Sequence, residues 1–154
     1  VAVQRMDNVL IVVEDLDAVI TFFEEIGLEL EGRFPLNGTW AERVIGLRDV
    51  RQEVAMLRVP GGHGRVELAR FDRPRAVRPE PYEAPSNTLG LRRVMFAVDD
   101  IRDTVARLRG LGAEVVDEIV RFENAYLLAY VRGPENIVVG LAEELNSASA
   151  QGDQ

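Results

Sequence analysis

Residues 12–33, VVEDLDAVITFFEEIGLELEGR, and residues 97–118, AVDDIRDTVARLRGLGAEVVDE, align without a gap at an offset of 85. Val13 and Val98, Asp15 and Asp100, Gly27 and Gly112, and Glu29 and Glu114 coincide, and most other apolar positions agree in kind. A chain with this internal match is built from one module used twice, so any fold proposed for one half has to serve the other.

Each copy reads as strand, turn, helix, strand. The apolar runs Val9–Val13 and Val94–Val98 meet acidic pairs, and Asp15 and Asp100 suit helix N-caps, because a short carboxylate accepts from the free amides of a first turn. Leu16, Val19, Ile20 and Phe23 then recur at helical spacing, as do Ile101, Val105 and Leu108, and Gly27 and Gly112 stand where a left-handed C-terminal residue is wanted. The β-branched stretches Glu29–Phe34 and Glu114–Ile119 predict the next strands. Further strands are expected at Gln52–Val59, Arg65–Phe71, Asn124–Val131 and Ile137–Glu143, with turns at 60–64 and 133–136, while Pro35–Val44 reads as irregular. Each half is therefore βαβββ, and the fold class is α+β.

At 154 residues the chain suits one domain, residues 1–145, made of module one (5–71), a linker (72–88) and module two (89–145). Pro74, Pro79, Pro81 and Pro85 crowd the linker, which is expected to be extended and stiff. The small polar residues 146–154 are expected to be disordered. The absence of cysteine excludes disulfides and thiolate chemistry. The opening VAVQRMDN lacks a basic-then-apolar export signal, and no apolar run approaches ~20 residues, so no membrane partner and a cytoplasmic setting are expected. The chain starts at Val1 without a Met, as one trimmed upstream would. A net charge of −8 with scattered arginines sets nucleic acid aside as a partner.

The tandem pattern, with NVLIVVEDLDAVITFFEEIGLEL in one half and LRRVMFAVDDIRDTVARLRGLGAEV plus AYVRGPENIVVGLAEEL in the other, resembles the vicinal oxygen chelate superfamily. That superfamily takes in glyoxalase I, extradiol dioxygenases, fosfomycin resistance proteins and bleomycin-binding proteins. The resemblance covers residues 5 to 145. It implies that the modules form a cup-shaped, partly open mixed β-sheet barrel with helices outside, and that the protein is a homodimer, some members building each cup from two chains.

In metal-dependent members a divalent ion sits in the cup, held by His, Gln or Glu from the start of the first strand and from the last strand of a module. Carried over, the first-strand positions fall on Asn8 and Arg93 and the last-strand positions on Glu67 and Gly140. Only Glu67 is a strong metal donor. Asn8, Glu67 and waters could at most hold a hard cation weakly, and the one histidine, His63, precedes Glu67 by four residues, ~13 Å in an extended strand. Zinc wants three or four protein ligands, and a cation beside Arg93 meets like-charge repulsion. The reading is a metal-depleted member, with no metal and no cofactor.

Strand alternation places Asn8, Leu10 and Val12 on one face and Arg93, Met95 and Ala97 on its counterpart. Arg93 offers a fixed charge with planar donors for a carboxylate, phenolate or enolate oxygen, and is expected to pair with Glu67 when no ligand is bound. The bland alternative is a permanent ion pair. Trp40 in the irregular stretch is a candidate lid or a packing residue. Tyr126 and Tyr130 alternate on a strand of module two, where Tyr130 either meets a planar ligand or shows its hydroxyl to solvent. Met56 and Met95 suit an adaptable apolar wall or simple core filling. His63, in a glycine-rich hairpin tip, reads as a solvated turn histidine.

The preferred function is binding of a small anionic or oxygen-rich organic molecule in a metal-free cup by Asn8, Leu10, Trp40, Met56, Glu67, Arg93, Met95, Tyr126, Tyr130 and Gly140. One alternative is a metal-independent lyase or isomerase with Glu67 as base and Arg93 as oxyanion stabiliser. Another is a metal-dependent lyase or dioxygenase with a degenerate site.

Overall fold

The structure is a computed structural model that describes residues 2–145; the expected disordered tail, 146–154, lies outside the described residues. The chain divides into two compact units at Pro79/Glu80, inside the segment read as a linker.

Module one carries β1 (Val9–Val12), α1 (Leu16–Ile26), β2 (Glu29–Asn37), α2 (Thr39–Ile45), β3 (Arg51–Arg58) and β4 (Arg65–Arg73). Its sheet has the order β1-β4-β3-β2, with β1 parallel to β4 and the other neighbours antiparallel. α1 forms where the sequence predicts it. Asp15 accepts from the Ala18 amide at 3.0 Å, and Gly27, at φ 126°, ends the helix with its N–H on the Phe23 and Glu24 carbonyls. The stripe Leu16, Val19, Ile20, Phe22, Phe23 and Ile26 is buried against the sheet, where Ala55, Leu57, Val66 and Leu68 complete the core. Arg33 reaches from β2 to Asp17 of α1 and to Glu53 of β3, tying the helix to the sheet edge.

Module two carries β5 (Val94–Ala97), α3 (Ile101–Gly110), β6 (Glu114–Val115), β7 (Val120–Phe122), β8 (Tyr126–Arg132) and β9 (Val138–Glu144). The order is β5-β9-β8-β6, with β7 also on β8 and β5 parallel to β9. The Asp100 carboxylate accepts from the Asp103 amide at 3.0 Å, and Glu143 of β9 accepts from the Ile101 amide at 2.9 Å, so two carboxylates satisfy the helix start. Ile101, Thr104, Val105 and Leu108 are buried, and Gly112 takes φ 90° just past the helix. The α+β class and the doubled βαβββ frame hold, as two mixed sheets with no closed barrel.

Three expectations are corrected. The stretch Pro35–Val44 is ordered: β2 runs through Pro35 to Asn37, and α2 follows. Pro35 is tolerated because β2 is an edge strand, and Gly38 and Gly46 bracket a helix short enough to be hidden by its own punctuation. The strand Glu114–Ile119 is interrupted, pairing with β8 only at Glu114 and Val115 before β7 resumes at Val120. The linker starts two residues later and is less extended than expected. β4 continues to Arg73, and residues beyond Pro74 run through turns and bends, one of them closed by the Thr88 N–H and hydroxyl on the Pro85 carbonyl at 3.0 and 2.7 Å.

Each sheet has one face under α1 or α3 and an opposite face that this helix leaves free. Register puts Leu10, Glu67, Met56 and Gly32 in a row across the helix-free face of module one, with Val12, Ala69, Val54 and Phe34 beside it. On module two, Met95, Gly140 and Tyr130 form the corresponding row, and Ala97, Ala142 and Leu128 the next.

Candidate functional site

The candidate residues divide by module. In module two the structure gathers Arg93, Met95, Tyr130 and Gly140. Tyr130 lies opposite Gly140 on β9, whose other neighbour is Met95 on β5. Because residue 140 has no side chain, Met95 fills the space above it: a Cβ built there would lie 3.0 Å from Met95 Cγ and 3.3 Å from Sδ, inside ordinary contact. Arg93, one residue before β5, places its guanidinium carbon 4.0 Å from the centroid of the Tyr130 ring. A cation over an aromatic face gains about 0.5–1 kcal/mol at an exposed site, which orients the fork while leaving its N–H groups open. Met95 remains 47% exposed beside it. The Tyr130 ring is partly buried and carries the Arg93 guanidinium.

In module one the structure gathers Leu10, Met56 and Glu67 in one row. Glu67 is half-buried and has no hydrogen bond or ion pair within its module, and burial pushes its carboxyl above the ordinary glutamate range. A raised folded-state value means that folding favours the protonated form, so this contribution is fully present below the unfolded value, near 4.5, and is lost as pH rises through the folded value. Glu67→Gln, neutral throughout and losing no bond of the carboxylate, is therefore expected to melt above wild type at neutral pH. The gain should vanish below pH 4.5, and thermal melts of both proteins across pH check it.

The remaining candidates lie apart from these rows. Asn8 precedes β1 and is exposed; Tyr126 is at the far end of β8 opposite Glu144; Trp40 sits on α2 and is 61% exposed; His63 is in the solvated turn before β4. Sequence reasoning missed Arg132, which follows Tyr130 on the same face of β8, keeps most of its side chain from solvent and lies 3.7 Å from Glu83. The alternation Tyr126, Leu128, Tyr130 pointed to it one step further on.

Does this chain fit the divalent ion of the metal-dependent proteins it resembles? Among the described residues no group of three or more His, Cys, Asp or Glu is placed to hold one. In module two, the two positions carried over by resemblance as ligands are a cation stacked on a ring and a glycine whose side-chain space Met95 occupies. These residues do not fit a metal.

The sequence matches the family model of the Glyoxalase/Bleomycin resistance protein/Dioxygenase superfamily over residues 5–141, and with the two βαβββ sheets in place the chain belongs to that superfamily. Among solved structures, a glyoxalase family protein of Bacillus cereus is 54% identical, with a TM-score of 0.90 over 94% of this chain and 97% of its own. More distant structures share the fold alone. TnmS3, an antibiotic binding protein from Streptomyces sp. CB03234, is 18% identical with a TM-score of 0.60, covering 94% of this chain and 98% of its own. FosX, a genomically encoded fosfomycin resistance protein from Listeria monocytogenes, is 14% identical with a TM-score of 0.61, covering 98% and 99%. No match to the sequence is found among curated proteins. No helix among the described residues is long and apolar enough to cross a membrane.

Proposed function

We propose that this protein binds a small anionic or oxygen-rich organic molecule without a metal ion, with Arg93 meeting the ligand's oxygens. The observation that carries the reading is the Arg93 guanidinium held over Tyr130 at 4.0 Å, where a superfamily metal ligand would otherwise start. An aromatic beneath the guanidinium orients it without consuming its donors, whereas a carboxylate partner would occupy them. Met95 supplies an apolar wall next to the charge, and Leu128 continues the same face. That a structural neighbour is an antibiotic binding protein is in keeping with sequestration as the purpose. A homodimer in the cytoplasm belongs to the same reading.

An enzyme reading has one observation in its favour. Glu67 is partly withdrawn from water and unpaired within its module, which makes its carboxylate a stronger base than a solvated one, as proton abstraction by a lyase or isomerase would want.

The test is Arg93→Met, which keeps an apolar side chain against Tyr130. It is expected to retain the fold by circular dichroism and to lose at least about tenfold in affinity for carboxylate ligands found by thermal-shift screening, as removal of a charge-assisted bond should. Unchanged affinity would sink the ligand role. Turnover that survives Arg93→Met but not Glu67→Gln would move the enzyme reading ahead.

A further inference from the structure

The helix-free face of module one carries a chemistry opposite to that around Arg93. Its central row is Leu10, Glu67, Met56 and Gly32, one residue from each strand of the sheet. The next row is Val12, Ala69, Val54 and Phe34, apolar throughout. On the other side alternation places Arg65 of β4 and Arg58 of β3, and both already have counter-charges: Arg65 Nε lies 3.0 Å from Glu31, and Arg58 Nε 3.1 Å from Glu29. Glu67 has none within the module. The face thus presents a carboxylate without a counter-charge in its own module on an apolar bed in which Val54 and Ala69 are buried while Leu10 at 48%, Val12 at 46% and Phe34 at 40% remain open to solvent.

We propose that this face binds the protonated amine of a small amphiphilic molecule, with Glu67 as the anion and Leu10, Val12, Met56 and Phe34 as the bed for its apolar body. A carboxylate held partly out of water regains most from a cation that brings its own N–H donors, because charge-assisted hydrogen bonds are about twice as strong as neutral ones. A neutral alcohol offers only the weaker bond. The two flanking arginines do not compete, since each is held by its own glutamate. The net charge of −8 raises the local concentration of cations at the surface rather than anions. Desolvation of the Glu67 carboxyl acts in the same direction, since a bound cation relieves it.

The site is built from residues of module one, so its test, made at Glu67, separates from that of the proposed function, made at Arg93. Benzylamine is titrated into the full chain at neutral pH while backbone amides are followed by two-dimensional NMR, with benzyl alcohol as the neutral comparator. Benzylamine is expected to shift the amides of Leu10, Met56 and Glu67, to bind at least about tenfold more tightly than benzyl alcohol, and to lose that advantage in Glu67→Gln. Equal affinity for amine and alcohol on the wild-type protein, which requires no variant to fold, overturns the proposal. So does undiminished binding to Glu67→Gln. Shifts of the same amides on dilution of the protein alone, marking the face as one covered by a second copy of the chain, overturn it as well.

Discussion

Phe23→Ala is expected to cost about 3–5 kcal/mol, the range for deleting a buried aromatic ring and leaving a partly relaxed cavity. Phe23 is 0% exposed and lies in the middle of the stripe by which α1 covers its sheet. Its ring also meets that of Phe22 edge-to-face, with centroids 5.4 Å apart at 79°, so the substitution removes a specific ring contact in addition to apolar area. A domain of this kind stands about 5–15 kcal/mol above its unfolded state, so the loss takes a large share of what module one has. Urea denaturation followed by far-ultraviolet circular dichroism should show the midpoint falling sharply. A shift equivalent to less than about 1 kcal/mol would mean that α1 does not anchor the module through this ring.

Gly140→Glu is the second large effect, at the position where the resemblance to metal-dependent members puts a ligand. A carboxylate side chain there sets a Cβ 3.0 Å from Met95 Cγ and 3.3 Å from Met95 Cβ. The far end of a methionine can turn aside, but its Cβ is fixed by β5, so the strands must shift as well. Overpacking of this kind costs typically about 1–3 kcal/mol, or a drop of several degrees in the melting temperature of a chain this size. The new carboxylate would also stand in the row between Met95 and Tyr130, next to the Arg93 guanidinium, and compete with an acidic ligand for its donors. Lower stability together with weaker acid binding is expected from calorimetry of the purified variant. Preserved stability with new divalent-metal binding would show instead that only the residue type at position 140 keeps this module from holding an ion.

Much of the frame was legible because the signals are local. Asp15 and Asp100 cap the helices that follow them, and Leu16 to Phe23 carry their period within about two turns of one helix. The alternation in LIV and MFA correctly separated Leu10 and Met95 from the residues facing the helices. What the sequence hid depends on partners far along the chain. α2 is seven residues long between two glycines, too short for a hydrophobic period to stand out beside Pro35. The break between Val115 and Val120 is decided by pairing with β8, not by the β-branched run itself.

The same division runs through the site. Alternation could place Arg93 and Tyr130 on comparable faces, yet only the register of β9 between β5 and β8 brings them into contact beside Gly140, which has no side chain to part them. Glu67 was singled out by resemblance to a metal-binding position. Its partly buried state, and the arginines around it being already engaged by Glu31 and Glu29, follow from three strands meeting and from no stretch of sequence alone.

The way the ladders close also bears on how the protein is made. Every strand pairing of the first sheet joins residues between Val9 and Arg73, and every pairing of the second joins residues from Val94 onward. Translation runs at about 5–20 residues per second, so several seconds separate completion of the two halves. Once Arg73 has cleared the ribosome, no hydrogen-bonded ladder of the first half among the described residues waits on anything still to be synthesised. The nascent chain can therefore cover its most aromatic helix, α1 with Phe22 and Phe23, before the second copy of the motif exists to mispair with it.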